Sequence, residues 1–495
     1  MKKRVLILAT LATGLLFSSC ESFLEEQPDS FLSAESEEVD ENLVEAELQG
    51  AYKALIFFRN DRASMIGILG TDEAQGATVE VNYWAEQGAL DKYNTSLNSD
   101  NWLTKWLWDA GYFSVSRANT TIRAARNVSG VTPEWKTSKE AEARFVRAVA
   151  YFMLAQYFGD VPLITEDTKP SARPNYPREV LSKIYEYIIA DLSFAEKNLL
   201  TNYRDGRATV GAAKAMLMKV YMYAQPESGY RDLSKAKTKF EEIEALHQYV
   251  LQPNYGDLFK VEFENGTESV YEFQFEYPDL ANNLQYYCGS RAIGQIGEGG
   301  GYEIFLPTQR YLSLFTTGDG DERYEASFRT EFYLNGQLIT SAGDPEYIAP
   351  HCKKYEDPRD NNSWNSAKNV YYIRYADLIL LYAECLNAEG NVVGAKAQVQ
   401  RIRDRAKVTT PITASTQEDM LDFIYEERMR ELGMEGWRRF DLIRRGRDYF
   451  VSQVDRYNKF AKGNVQEFHA LYPIPSNEIS MNDGIGKENQ NPGYN

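Results

Sequence analysis

Histidine and cysteine are scarce in this 495-residue chain, and the absences narrow its chemistry. The three histidines, at 247, 351 and 469, stand far apart and in no metal-ligand spacing. Four scattered cysteines are too few for a disulfide framework or a zinc site. No CxxC, HExxH, GxSxG or GxxxxGK[ST] pattern occurs. Gly294–Gly301 has the glycines of a phosphate loop but no Lys-Ser/Thr after them, and reads instead as a flexible loop. The acidic turn Gly318–Glu322 lacks the register of an EF-hand loop and reads as a solvated turn. Basic residues are also outnumbered, 54 Lys and Arg against 72 Asp and Glu, for a formal charge of −18. Such a chain repels phosphate backbones, so no nucleic-acid partner is expected. No metal or cofactor is expected either.

Beyond the first twenty residues no apolar run approaches the roughly 18 needed to cross a bilayer. The N-terminus itself is an address. Lys2, Lys3 and Arg4 precede a short apolar stretch, Val5 to Phe17, which leads into Phe17-Ser18-Ser19-Cys20. Small residues before a Cys suit a lipoprotein signal peptidase, although Phe17 stands where Leu is usual. Residues 1–19 are therefore expected to be removed and Cys20 to become the acylated N-terminus. Glu21–Ser36, acidic and polar, reads as a tether. Loss of the leader removes three basic and no acidic residues, which takes the side-chain charge from −18 to −21.

What is abundant is helical periodicity and aromatic side chains: 34 Tyr, 24 Phe and 7 Trp, 13% of the chain. In Glu142–Phe158, Phe145, Ala148, Val149, Phe152 and Ala155 follow the spacing of one buried helix face, and Gly159 stops the helix. A repeat appears further on. Val220, Tyr223, Ala224, Ala236, Phe240 and Ile243 align with Ile379, Tyr382, Ala383, Ala395, Val399 and Ile402. The two alanines lie twelve residues apart in both copies, the tetratricopeptide arrangement of paired antiparallel helices, although Lys407 stands where that repeat usually has Pro. Between the copies the pattern changes. Val261, Phe263, Tyr271, Phe273 and Phe275 predict short strands around an Asn265-Gly266 turn, and residues 335–345 and 356–369 read as loops. The expectation is a mainly α fold over 37–495: a helix-pair scaffold with an irregular, short-stranded insertion around 255–365.

Several stretches carry a resemblance. They are Glu142–Ile164, Tyr371–Gly390, Glu426–Gly446 and Leu471–Asn495, together with the Cys20–Ser30 start and Trp108-x₃-Tyr112-x₂-Val115-x₂-Ala118-Asn119. In this order they resemble the SusD/RagB family over nearly the whole mature chain. The resemblance implies an outer-membrane lipoprotein, lipid-anchored through Cys20 and facing the cell exterior. Such proteins have a tetratricopeptide-like scaffold and a loop-rich ligand face. They are non-catalytic lids that bind oligosaccharide, or in some relatives peptide, and deliver it to a SusC-like TonB-dependent transporter.

Within the motifs, Arg428 falls on the apolar side of its helix, where an unpaired guanidinium is very costly. Glu427, Arg428, Glu431, Arg438 and Asp441 therefore read as a fold-holding ion network. A sugar offers apolar C–H faces and hydroxyl edges, so its receptor needs exposed rings beside amides, carboxylates and Arg. Two loop-like regions combine these. Asp72–Trp102 contributes Asp72, Asn82, Tyr83, Trp84, Tyr93 and Asn101, and Tyr277–Tyr311 contributes Tyr286, Tyr287, Arg291 and Tyr302. Tyr83-Trp84 ranks first, Tyr286-Tyr287 second and Trp364 third, while Trp106 and Trp108 read as buried. Two other classes remain open on residues alone: a tethered glycosidase using two of the many carboxylates, and a helical-repeat adaptor with only protein partners.

Overall fold

A computed structural model describes residues 39–169, 171, 174–202, 206–291, 301–315, 318–334, 336–357, 359 and 365–494. The leader, the tether with Cys20, residues 294–300 of the glycine loop and Trp364 lie outside the described residues.

The helices used below are α1 (Glu41–Ile56), α2 (Thr78–Tyr83), α3 (Ala85–Lys92), α4 (Trp102–Asn127), α5 (Pro133–Phe158), α6 (Leu181–Asn198), α7 (Val210–Tyr223), α8 (Leu233–Glu244), α9 (Leu284–Cys288), α10 (Tyr375–Ala388), α11 (Val392–Arg405), α12 (Gln417–Leu432) and α13 (Arg438–Arg445). The strands are β1 (Ala74–Gln75), β2 (Ser269–Phe273), β3 (Leu306–Pro307), β4 (Phe328–Arg329), β5 (His351–Cys352) and β6 (Val370–Arg374). No described helix is long and apolar enough to cross a membrane.

Helix α5 is the structural centre. Thr132 caps its start by accepting the Trp135 N–H at 3.2 Å, Pro133 occupies its first turn, and Gly159 leaves it at φ +74°. The sequence predicts one buried face; the structure buries every side chain from Phe145 to Phe158. The reason is that α4 and α6 flank it and α1 and α7 pack on it as well. The polar residues this submerges are partnered. Arg147 donates to Asp191 at 2.8 and 3.0 Å and to Asn119 at 2.6 Å. A buried guanidinium is tolerated only with such partners.

The predicted repeat is realised as α7–α8 and α10–α11. Each pair packs face to face, and α8 packs on α10. Eleven of the twelve aligned residues are buried. The twelfth, Tyr382, is half-buried and stacks its ring on Phe240 at 4.3 Å and 18°. Ala236 and Ala395 are fully buried, which lets the paired helices approach closely.

The insertion differs from expectation in detail. Val261–Phe263 forms a 3₁₀ turn, and Phe275 is buried but lies just beyond the strand. Asn265, at φ +52°, turns the chain into β2. β2 pairs antiparallel with β6, with Val370 opposite Phe273 and Tyr371 opposite Glu272. Because β6 runs directly into α10, this ladder ties the insertion to the second repeat. Within 335–345 the structure places part of a small hairpin, Tyr333–Leu334 against Gln337–Leu338. Trp108 is buried as expected, whereas Trp106 is only half-buried.

Candidate ligand-binding face

The two loop-like regions meet in space. β1 pairs antiparallel with β3, Ala74 opposite Pro307 and Gln75 opposite Leu306. The join continues on both sides: the Thr308 N–H donates to the Glu73 carbonyl at 2.9 Å, and the Ala77 N–H to the Glu303 carbonyl at 3.1 Å. Segments more than 200 residues apart thus form one surface.

On that surface α2 ends in the exposed residues Asn82, Tyr83 and Trp84, with Tyr83 79% and Trp84 41% accessible. The two rings lie 6.2 Å apart at 50°. Lys92 donates to the Asn82 carbonyl oxygen at 2.9 Å, which steadies the side chain from α3. The opposite side of α2 is anchored. Glu80, fully buried, pairs with Arg291, whose guanidinium also lies 4.0 Å from buried Glu303. Arg291 in turn covers the Tyr302 ring at 4.5 Å, and Tyr302 lies against Tyr286 at 4.9 Å. Burial and the neighbouring Tyr302 push the Tyr286 phenol upward, so it stays a neutral hydroxyl that can donate. The result is two sets of aromatic faces about α2, Tyr83–Trp84 with Asn82 at its end and Tyr286–Tyr302 with Arg291 on its anchored side. That arrangement suits a ligand with apolar faces and polar edges.

Four of the expected contacts turn inward instead. Asp72 is fully buried and receives both the Nε and Nη2 of Arg438, at 2.7 and 2.6 Å. Tyr93 sits at φ +49° as the C-terminal cap of α3, its hydroxyl donating to the Gly70 carbonyl and its ring against His469 at 5.0 Å. Asn101 is the N-cap of α4, accepting from Leu103 and Thr104 and donating to the Glu86 and Ser96 carbonyls at 3.1 and 3.0 Å. Tyr287 is buried edge-on against Phe305. These four side chains build the face from behind and are not presented on it. Asn82, Tyr83, Trp84, Tyr286, Arg291 and Tyr302 are exposed or half-buried on it.

Sequence reasoning missed Glu80, Glu303, Glu346 and Lys459. Glu346 accepts the Thr78 N–H at 2.7 Å at the start of α2 and pairs with Lys459 at 2.6 Å. Nothing local in the sequence links residues 268 and 113 positions apart. Also missed is a cleft of about 470 Å³ between α1 and β2, lined by Tyr52, Lys53, Arg207, Gln274 and Phe275 among others.

The charged C-terminal motif proves to be scaffold. Arg428 pairs with Asp441 at 2.9 Å and Asp377 at 2.8 Å and donates to the Tyr223 hydroxyl at 2.9 Å. Arg323 reaches Glu427 at 2.7 Å and Glu431 at 3.2 Å. Burial opposes the charge on Glu431, but Arg405, Arg374 and Arg323 outweigh it and hold its carboxylate well below the usual range. Arg438 forms a separate buried pair with Asp72, behind the candidate face. Beside it, burial, only partly offset by Arg438 and the Met434 N–H, pushes the Glu73 carboxyl up to about 8. Among the described residues, no group of three or more His, Cys, Asp or Glu side chains is placed to hold a metal ion.

Comparison with known proteins follows the same lines. The SusD family model matches residues 321–494, and a second model, described as starch-binding associating with outer membrane, matches residues 22–222. A SusD-like protein of Bacteroides ovatus is 29% identical over 482 residues, spanning 90% of this chain and 82% of its own. The starch-binding protein SusD of Bacteroides thetaiotaomicron is 22% identical over 490 residues, with 86% and 84% covered. Among solved structures, a laminarin-binding SusD-like protein superposes with a TM-score of 0.75 at 24% identity, over 92% of this chain and 100% of that one. At that identity the likeness is one of fold.

Proposed function

The chain belongs to the SusD/RagB family, and from that premise we propose that it is a lipid-anchored, non-catalytic lid that captures oligo- or polysaccharide at the outer membrane and delivers it to a SusC-like TonB-dependent transporter. Capture of a glycan is supported by the glycan-binding names of its relatives and by the description of the family model that covers its first half. Acylated Cys20 holds the protein to the outer membrane, on its exterior side.

The observation that carries the reading is the pair of aromatic clusters about α2. Tyr83 and Trp84 stand exposed at the end of α2, and the Arg291–Tyr302–Tyr286 stack lies on the side of the same helix that Glu80 anchors. Stacked rings grip the C–H faces of a pyranose while Arg291, Asn82 and the phenols meet its hydroxyls. Several shallow contacts spread over two clusters suit a chain of sugars better than a single enclosed monomer.

The test is affinity electrophoresis of the protein through gels containing neutral, acidic or host-type polysaccharides. Retardation by one class supports glycan capture and names the ligand. Failure across a broad panel, with retention of a peptide ligand instead, overturns it. Release of reducing ends from a bound polysaccharide overturns the non-catalytic assignment. Co-purification with a TonB-dependent transporter tests the delivery step separately.

A further inference from the structure

The three described cysteines are buried thiols of different surroundings. Cys385, on α10, has its sulfur 3.4 Å from that of Met222 on α7, between the two helix pairs. Cys288 and Cys352 have each other. Cys288 ends α9, the helix that carries Tyr286, and Cys352 lies in β5, which pairs with β4 so that Cys352 faces Phe328.

Two side-chain hydrogen bonds bracket the pair and fix its register. Gln285 accepts the Asp357 N–H, and Ser290 donates to the Tyr347 carbonyl. The two segments therefore run past one another in opposite directions, 285 beside 357 and 290 beside 347. Position 288, three-fifths of the way along, falls opposite 351 or 352. The side chains agree with that register, since each thiol lies close enough to shift the ionisation of the other. Both are shut off from solvent.

We infer that Cys288 and Cys352 are joined by a disulfide in the exported protein, bolting α9, the helix that carries Tyr286, to the β4–β5 ladder. Two adjacent thiols in an oxidising compartment are expected to pair, while Cys385, with no cysteine beside it among the described residues, stays reduced. The oxidant is, by class, a disulfide-carrying thiol oxidoreductase of the same compartment. With the segments still open either cysteine can attack, and the steps are the same for Cys352 acting first as the thiolate. It attacks one sulfur of the oxidant's disulfide, breaking that S–S bond and freeing one oxidant thiolate. Cys288 gives its proton to this thiolate and attacks the Cys352 sulfur, expelling the second oxidant sulfur, which takes up the proton that Cys352 released. Two electrons leave the cysteine pair and the oxidant ends as two thiols. Because the pair is buried in the finished fold, the exchange takes place while these segments are still open during folding.

The inference rests on the export proposed above, and the experiment reads the two separately. The protein is isolated from the membrane fraction without reductant and alkylated with N-ethylmaleimide under denaturing conditions. It is then peptide-mapped before and after reduction. Recovery in the membrane fraction reports on export alone. The expected map shows a single linked species joining the Cys288 and Cys352 peptides, converted on reduction to two alkylatable peptides, with Cys385 alkylated throughout. Cys288 and Cys352 alkylated separately in membrane-fraction protein overturns the inference. As a second readout, reductant is expected to lower the melting temperature of the wild type by several degrees and to leave that of Cys288→Ser unmoved. Equal shifts in both proteins also overturn it.

Discussion

Asp72→Ala is the sharpest test of how the candidate face is held. Asp72 lies in the region that composition marks as a sugar site, yet its carboxylate takes two donors of Arg438 at 2.7 and 2.6 Å with both side chains buried. Charge-assisted bonds of this kind contribute about 1.5–3 kcal/mol each. Their loss also strands a guanidinium whose one other described hydrogen bond is to the Tyr425 carbonyl at 3.0 Å. Breaking one side of a buried pair costs about 3–5 kcal/mol. Glu73 offsets part of this. Its carboxyl is pushed up to about 8 partly by Asp72, so removal of Asp72 favours its ionisation beside Arg438. The expected loss is therefore about 3 kcal/mol, at the lower end. Arg438→Met removes the stranded charge, so the double variant Asp72→Ala/Arg438→Met is expected to be more stable than Asp72→Ala alone. Urea unfolding midpoints of the four proteins, closed as a double-mutant cycle, give the coupling. Two results refute the reasoning: single losses below about 1 kcal/mol that simply add, or an Asp72→Asn protein of unchanged stability that no longer binds polysaccharide. The second would return Asp72 to the ligand.

Three further outcomes are expected. Trp84→Ala weakens polysaccharide retention at least several-fold, because it removes an exposed stacking face, and leaves the melting temperature unchanged; normal retention removes Trp84 from the site. Glu73 has a folded-state pKa near 8, above its unfolded value, so the folded chain binds the extra proton between about pH 4.5 and 8. Stability from this group is therefore full below that window and lost as the pH rises through it, by at most about 1.4 kcal/mol per pH unit. Glu73→Gln is expected to flatten that part of the profile and to gain on the wild type most at pH 8, as measured by urea midpoints at pH 5 and 8. Ala395→Leu forces extra methylenes into the closest approach of α10 and α11 and is expected to destabilise by about 1–3 kcal/mol; a neutral result refutes the close packing of the second pair.

Some of the expected ligand contacts were recognisable as structural from local signals alone. Asn101 directly precedes a helical run and has the chemistry of an N-cap, which is the role it takes. Other roles had no local signal. Glu80 reads as one more acidic residue of a polar loop, and only the arrival of Arg291 from 211 positions away makes it an anchor. Tyr287 and Tyr286 are adjacent and chemically identical, yet one is buried against Phe305 and the other is half-buried against Tyr302. Adjacent side chains on a short helix diverge, and the neighbours decide which of them meets solvent.

The chain order and spacing of residues settled the local matters: the long helices, the two aligned helix pairs and the need of Arg428 for partners. Each depends on residues within a few turns of one another, where backbone geometry imposes a period that composition reveals. Which polar groups reach the surface was decided only by tertiary contact. Asp72 became internal because Arg438 lies against it, and Tyr83 and Trp84 remain outside because Glu80, on the same short helix, is drawn inward by Arg291. A carboxylate is as soluble as a ligand contact as it is stable beside a buried guanidinium, so its side chain alone does not distinguish the two. The deciding term is the partner, and the fold brings that partner from hundreds of residues away.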